Sequence, residues 1–426
     1  MTKHLVTRRA ALSLLAAVPF AARVGVQSQT RRLRRIFSGR YHDFLLDPEG
    51  TLKCWSNPAA QTPNAKGELG QGHVNGLKPY TLYSIPGLAN VVSAGAGWDS
   101  SFAVLADGRI FAWGERGAGI LGITPLAEVE VSGQARANTS TPTPVAVRFD
   151  AVDISVGADH VLALARDGTV WAWGAGGQGR LGNGPLPVIN FKTRTPGAMS
   201  FVPFPMRIPG LSDVIAVSAG TDHSLALLKD GTVLAWGGNK RGQLGDGTTV
   251  DRATPVPVKG LGKVVAISAS DVLSVVVLAG GTVWAWGGDG NGVLGRPPWN
   301  GSDGNANPLP RIVPGVAGAR AVSASVGSVM VLTQTGTVIS WGFNGYGNLG
   351  QGTTTGTVGQ PPAVIKGLTG VQSVTTCASK GIAVLDDGRI FIWGGKVRPW
   401  VRLDGGPSGG SPSPILLSLE GLENPR

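Results

Sequence analysis

Seven short apolar segments, each ending in Trp, share one pattern of large and small positions. Three residues before the Trp stand Leu52, Ile110, Val170, Val233, Val283, Val338 and Ile390. One residue before it stand Cys54, Ala112, Ala172, Ala235, Ala285, Ser340 and Ile392, mostly small. Side chains alternate along a strand, so these two positions share a face. The Trp and the residue two before it, such as Phe111, Trp171, Trp284 or Phe391, take the other face. A strand that is apolar on both faces must be covered on both. Sheets stacked bulky face against slim face meet that need at interior packing density.

The pattern is a repeat. Gly50 leads by five residues to Trp55, Gly108 to Trp113, Gly168 to Trp173, Gly231 to Trp236, Gly281 to Trp286, Gly336 to Trp341 and Gly388 to Trp393. Successive Trp residues lie 50 to 63 residues apart, so a fixed unit carries variable insertions. In the third unit, residues 152–157, 160–164 and 169–173 read as three strands rich in Val, Leu and Trp. Asp167-Gly168 between the last two is a tight hairpin signal, repeated at Asp107-Gly108, Asp230-Gly231 and Asp387-Gly388. A fourth strand follows a Pro, as in Pro144-Val145 and Pro255-Val256-Pro257-Val258. Pro suits an edge strand, which can spare the missing N–H.

The first unit opens on a first strand at Ile36-Phe37-Ser38-Gly39, and the last closes on a fourth strand at Ser413-Pro414-Ile415-Leu416. These terminal strands are expected to complete one blade together and to close the ring by pairing, which removes the open sheet edge.

The third unit, Gly157-x-x-His160-x-Leu162-Ala163-Leu164-x-x-Asp167-Gly168-x-Val170-x-x-Trp173-Gly174, resembles the repeat of the regulator of chromosome condensation family. So does Trp236-Gly-Gly-Asn239-x-x-Gly242-Gln243-Leu244-Gly245. The likeness runs over about residues 31–426 and loosens in the last three units, where Leu273, Ser328 and Lys380 replace the His. It implies an all-β, seven-bladed β-propeller. WD-type and Kelch repeats fit the spacing and the Trp-Gly ending less well.

Composition narrows the function. Gly numbers 66 of 426 residues and charged residues are 15%, while 42% hydrophobic content rules out a disordered Gly/Pro polymer. The net charge of +11 comes mostly from residues 1–40, which hold nine Lys or Arg and no acid. Beyond them 28 basic residues face 26 acidic ones, so the repeat body has no basic surface for a phosphate backbone. Arg8-Arg9 before an apolar stretch from Ala10 to about Ala22 reads as a twin-arginine-like export leader over residues 1–30, although Ala11 stands where Phe is usual. The stretch is too short to span a bilayer. The expectation is a periplasmic or secreted protein, with a single propeller domain at residues 31–426 and no transmembrane segment after maturation.

Catalytic chemistry is not apparent. His42, His160 and His223 share one repeat phase on different blades, which suits hydrogen bonding in a turn and not a joint metal site. Cys54 and Cys377 fall in small-residue slots, and a disulfide between first and last units stays open if these meet. Asp99, Asp159, Asp222 and Asp271 lie near one phase and could face the central channel. No catalytic, metal-binding or cofactor-binding residues are assigned.

With strands running up and down, the Asp-Gly hairpins lie on one face. The turns between first and second strands, and every long insertion, lie on the other. Aromatic side chains on such loops are the usual material of binding hot spots. The partner-binding candidates are Trp98, Tyr80, Tyr83, Phe191, Phe201, Trp299, Tyr346 and Trp400. The reading is an exported, monomeric, non-enzymatic protein that holds a protein partner through this face. Within the family, beta-lactamase inhibitory protein II is the functional precedent. The alternatives are a cytoplasmic exchange-like regulator of a small GTPase, as the resemblance also implies, and an exported enzyme acting on glycan or peptide. Photoreception is disfavoured: only Gly97-Trp98-Asp99 is similar to the Gly-Trp-Arg-His-Thr segments on which the family's plant UV-B photoreceptor depends.

Overall fold

The computed structural model describes residues 34–56, 64–74, 81–123, 138–184, 201–297, 305–377, 379–395 and 411–417. The leader at residues 1–30 lies outside them. The described residues form seven four-stranded antiparallel sheets, each built from consecutive strands. Blade 1 holds β1 (Arg35–Ser38), β2 (His42–Leu46), β3 (Leu52–Ser56) and β4 (Tyr83–Ser84). Blade 2 holds β5 (Val91–Ala96), β6 (Ser100–Leu105), β7 (Ile110–Gly114) and β8 (Thr139–Pro144). Blade 3 holds β9 (Ala151–Val156), β10 (His160–Ala165), β11 (Val170–Ala175) and β12 (Phe201–Arg207). Blade 4 holds β13 (Val214–Ala219), β14 (His223–Leu228), β15 (Val233–Gly237) and β16 (Arg252–Pro257). Blade 5 holds β17 (Val264–Ser270), β18 (Leu273–Leu278), β19 (Val283–Gly287) and β20 (Asn307–Ile312). Blade 6 holds β21 (Ala319–Ala324), β22 (Ser328–Thr333), β23 (Val338–Asn344) and β24 (Thr355–Val364). Blade 7 holds β25 (Val371–Cys377), β26 (Lys380–Leu385), β27 (Ile390–Gly394) and β28 (Ser411–Leu417).

First strands of successive blades approach one another around the ring, so they line the axis, and the fourth strands form the rim. The rim strands carry the Pro residues expected of edges, with Pro142 and Pro144 in β8 and Pro412 and Pro414 in β28.

The seven beat Trp residues are all fully or almost fully buried between blades. Six links from third to fourth strand carry a seat for the next blade's Trp. Trp113 Nε1 donates to the carbonyl of Glu68, Trp173 to Ile120, Trp236 to Arg180, Trp286 to Gln243, Trp341 to Val293 and Trp393 to Asn348, at 2.7 to 3.0 Å. Two residues after each accepting carbonyl is a Gly, as in Leu244-Gly245. A Cβ there would stand 2.7 Å from the Trp286 indole nitrogen, so only Gly admits the ring. The beat Gly of the hairpin has its own reason. Gly108 has φ +86°, and its Cβ would meet the Asp150 backbone at 2.8 Å.

A second belt runs close to the axis. Ser155, Ser218, Ser268 and Ser323 each accept a hydrogen bond from a backbone N–H of the next inner strand: Ala219, Ala269, Ala324 and Thr376. Blades 1 and 2 carry Phe37 and Gly95 at this phase, so the belt stops there.

One expectation about the ring is corrected. Among the described residues β1 pairs with β2 alone and β28 with β27 alone, so these terminal strands do not complete a shared blade. Among the described residues every unit has four strands of its own, and none is left over to exchange. Blades 7 and 1 meet instead through side chains. Ile36, Leu45 and Trp55 pack with Ile382, Val384, Ile390 and Ile392. Arg34 donates to the Gly388 carbonyl, Thr375 Oγ1 to the Ile36 carbonyl and Cys377 Sγ to the Gly39 carbonyl.

Candidate functional site

Antiparallel order puts the first-to-second turns and the third-to-fourth links on one face. The structure ties the two together: Glu115 N–H donates to the Asp99 carbonyl, Ala175 to Asp159 and Gly238 to Asp222. The opposite face carries the hairpins, where exposed pairs such as Asp107–Arg109 and Asp387–Arg389 close the turns.

Among the described residues, large exposed apolar side chains lie on the loop face or on the rim. Val74, Trp98, Val250, Val326 and Tyr346 lie on the loop face. Leu309, Ile312, Val364 and Leu416 lie on rim strands. Among the described residues, none lies on the hairpin face. Trp98 is 41% exposed, with the Arg40 guanidinium 4.3 Å over its ring. Tyr346 is 56% exposed and meets Phe343 edge-on.

The other candidates fare differently. Tyr83 is corrected: it lies buried beside Phe44, Cys54 and Leu69 between blades 1 and 2, and cannot present itself to a partner. Phe201 is half-buried at the start of β12, against Gly119. Tyr80, Phe191, Trp299 and Trp400 lie outside the described residues.

Several links are pinned by one buried amide or carboxylate. Asn239 Oδ1 accepts the Leu244 N–H while its Nδ2 reaches the carbonyls of Thr248 and Val250. Asn64, Asp289 and Asn344 hold Leu69, Leu294 and Leu349 in the same way. At this position after the Trp, blades 2 and 3 have Arg116 and Gly176.

An arc of carboxylates crosses the loop face over blades 2 to 5. Burial raises the pKa of Asp99, Asp159 and Asp271, and neighbouring carboxylates add to it: Glu115 for Asp99, Glu115 and Asp222 for Asp159, and Asp222 for Asp271. The like charges therefore feel one another around the axis. Countercharges are interspersed. Arg180 reaches Asp222 at 2.7 Å, and Lys66 reaches Glu115 at 3.3 Å. Glu68, buried next to Asp99, is also raised, mainly by desolvation.

The three phased histidines are structural. His42 Nε2 bonds Ser101 Oγ at 2.7 Å, His160 bonds Ser224 at 2.9 Å and His223 bonds Ser274 at 2.9 Å, each across a blade interface. Each Ser also donates to the carbonyl that receives the Trp indole: Glu68, Arg180 and Gln243. The Ser partners were not apparent in the sequence, since 51 to 64 residues separate them from their His. Among the described residues, no three His, Cys, Asp or Glu side chains converge to hold a metal. Cys54 and Cys377 are free and buried. Cys54 donates to the Leu69 carbonyl on the side of blade 1 that meets blade 2. Cys377 meets the opposite side of blade 1, so no disulfide joins the first and last units. Among the described residues, no helix is long and apolar enough to cross a membrane.

Protein pim1 of Schizosaccharomyces pombe is 33% identical over 236 residues, 54% of this chain and 41% of its own length. The guanine nucleotide exchange factor SRM1 of Saccharomyces cerevisiae is 30% identical over 232 residues, 49% of this chain and 45% of its own. The chain thus spans less than half the length of either relative. The solved structure of yeast RCC1 (Prp20), bound to Kap60, superposes with a TM-score of 0.68 at 18% identity, over 98% of this chain and 91% of that one, which is a likeness of fold. The family model of the RCC1-like domain matches residues 22–379, and the chain belongs to that family.

Proposed function

We propose that this propeller is a non-enzymatic binding protein that engages a protein partner through the loop face. One observation carries the reading: loop-borne apolar side chains are exposed on that face and, among the described residues, not on the hairpin face. Exposed Trp and Tyr on a rigid frame are anchor material, and the surrounding carboxylates supply orientation. The pinned links keep the frame ordered before binding, which lowers the entropy cost of association. The leader sequence supports export, so the proposed compartment is periplasmic or extracellular.

The test is capture from the exported fraction of the source cell with the tagged chain lacking residues 1–30. The expected result is a discrete protein retained by the wild type and by Arg389→Ala on the hairpin face. Trp98→Ala and Tyr346→Ala should lose it. Equal retention by all four, or none by the wild type, overturns the reading.

The second reading is nucleotide exchange on a small GTPase in the cytoplasm, favoured by the identity to SRM1. N-terminal sequencing of the mature protein separates the two. An intact residue 1 supports the cytoplasmic regulator, and cleavage near residue 30 supports the exported binder.

A further inference from the structure

The seventh interface differs from the other six. At each interface the first residue of one blade's second strand stands near the second residue of the next blade's second strand. This position holds His42 and Ser101, His160 and Ser224, and His223 and Ser274, each a neutral hydrogen bond. Between blades 5 and 6 it holds Leu273 and Val329 in one apolar cluster. Between blades 2 and 3 it holds Ser100 and Val161, and between blades 6 and 7 Ser328 turns to Thr376 at 2.9 Å. Between blades 7 and 1 it holds Lys380 and Asp43, an ion pair whose side chains are only 3% and 0% exposed.

Two further features set this seam apart. Six links supply Leu-Gly as the Trp seat: Leu69-Gly70, Leu121-Gly122, Leu181-Gly182, Leu244-Gly245, Leu294-Gly295 and Leu349-Gly350. The seventh link, residues 396–410, contains no Leu-Gly. The seam is also the interface between the first and last blades, which no blade-to-blade linker spans, and among the described residues no exchanged strand ties it.

We propose that the Lys380–Asp43 pair is a closure lock that makes the ring count to seven. The blades are alike in shape, so apolar packing alone would let the Trp55 face of blade 1 accept the slim face of other blades as the chain folds. Any of blades 2 to 6 would bring Ser100, His160, His223, Leu273 or Ser328 to Asp43. None of these carries a charge there, since burial holds His160 and His223 neutral. Asp43 would then be buried without a counter-ion, which costs far more than a poor apolar fit. Lys380 penalises the reverse error, because Ser101, Val161, Ser224, Ser274 and Val329 offer it no carboxylate. Buried polar pairs fix register in other assemblies at some expense of stability.

The test separates specificity from stability. Lys380→Met, Asp43→Leu, the double variant and the swapped pair Lys380→Asp with Asp43→Lys are each refolded from denaturant. Size-exclusion chromatography with light scattering reads the products, and hydrogen exchange reads β1, β25 and β26. Each single variant should lose exchange protection at the seam and most of its monomer. The double apolar variant should recover thermal stability yet refold to a mixture that includes oligomers, and the swapped pair should restore the monomer. A double apolar variant that refolds as cleanly as wild type would falsify the lock. So would single variants that keep wild-type seam protection.

Discussion

The indole N–H of Trp236 in blade 4 donates to the carbonyl of Arg180 in blade 3, 2.9 Å away, and the same oxygen accepts the hydroxyl of Ser224 at 3.0 Å. Ser224 in turn holds His160. One backbone oxygen thus gathers an indole, a hydroxyl and, through it, an imidazole, and fastens two blades where their cores meet.

Removing the donor while keeping most of the ring isolates this contact. Trp236→Phe should cost about 1–3 kcal/mol, the range for leaving a buried acceptor short of a partner. Trp236→Ala, which also opens a cavity, should cost about 3–5 kcal/mol. Urea denaturation followed by circular dichroism measures both. A Trp236→Phe variant as stable as the wild type would mean that the hydrogen bond contributes nothing.

The buried histidines give the fold an acid weakness. Burial lowers the pKa of His160 to about 3, of His42 to about 3 and of His223 to about 4. Lys380 lowers His42 further, and Arg180 lowers His160 further. In the unfolded chain the same groups take a proton near pH 6.5. Between those values the unfolded state binds more protons, so stability is complete above about pH 6.5 and falls as the pH drops toward 3–4. Asp99, Asp159 and Asp271, with raised pKa values, act in the opposite sense and soften the decline. The urea midpoint should fall from pH 7 to pH 4, and His160→Gln should flatten part of the slope. A midpoint that does not change over this range contradicts the assignment.

The carboxylate arc predicts a contrast between neighbours. Asp159→Asn and Asp271→Asn relieve desolvation and like-charge repulsion, so each should leave the melting temperature unchanged or raised. Asp222→Asn should lower it, because Arg180, only 7% exposed, loses the partner at 2.7 Å. Thermal melts at neutral pH decide, and a stabilising Asp222→Asn would refute the pairing.

Both thiols should be inert in the native protein. Burial raises the Cys377 pKa to about 11 and pushes Cys54 higher still. Only the thiolate reacts, so neither should label with Ellman's reagent at pH 8 until guanidinium unfolds the ring. Two equivalents should then appear. Labelling of the native protein would show that the seam or blade 1 opens.

Most of the architecture was legible because its signals are local. Asp107-Gly108 specifies its hairpin within two residues, and the alternation from Ile110 to Trp113 fixes both strand faces. The exposure of Trp98 and Tyr346 was legible because they fall outside the Trp beat, in a turn and a link. Tyr83 misled because β4 spans only Tyr83 and Ser84, too short for an alternation to assign its face. Ring closure misled for another reason. Ile36 and Ile415 both read correctly as strand residues, but which strands pair is a matter of sheet membership, and local pattern does not carry it. The Lys380–Asp43 contact joins positions 337 residues apart, so it appears only once the ring is folded.

The direction of the terminal strands has a mechanical consequence. β1 rises from the hairpin face, where Arg34 meets Gly388, and β28 descends to that face, where Leu417 pairs with Ile390. The described chain therefore enters and leaves the ring on the side away from the loops. The ring is thus strung from one side, and its loop face is left clear of both terminal strands.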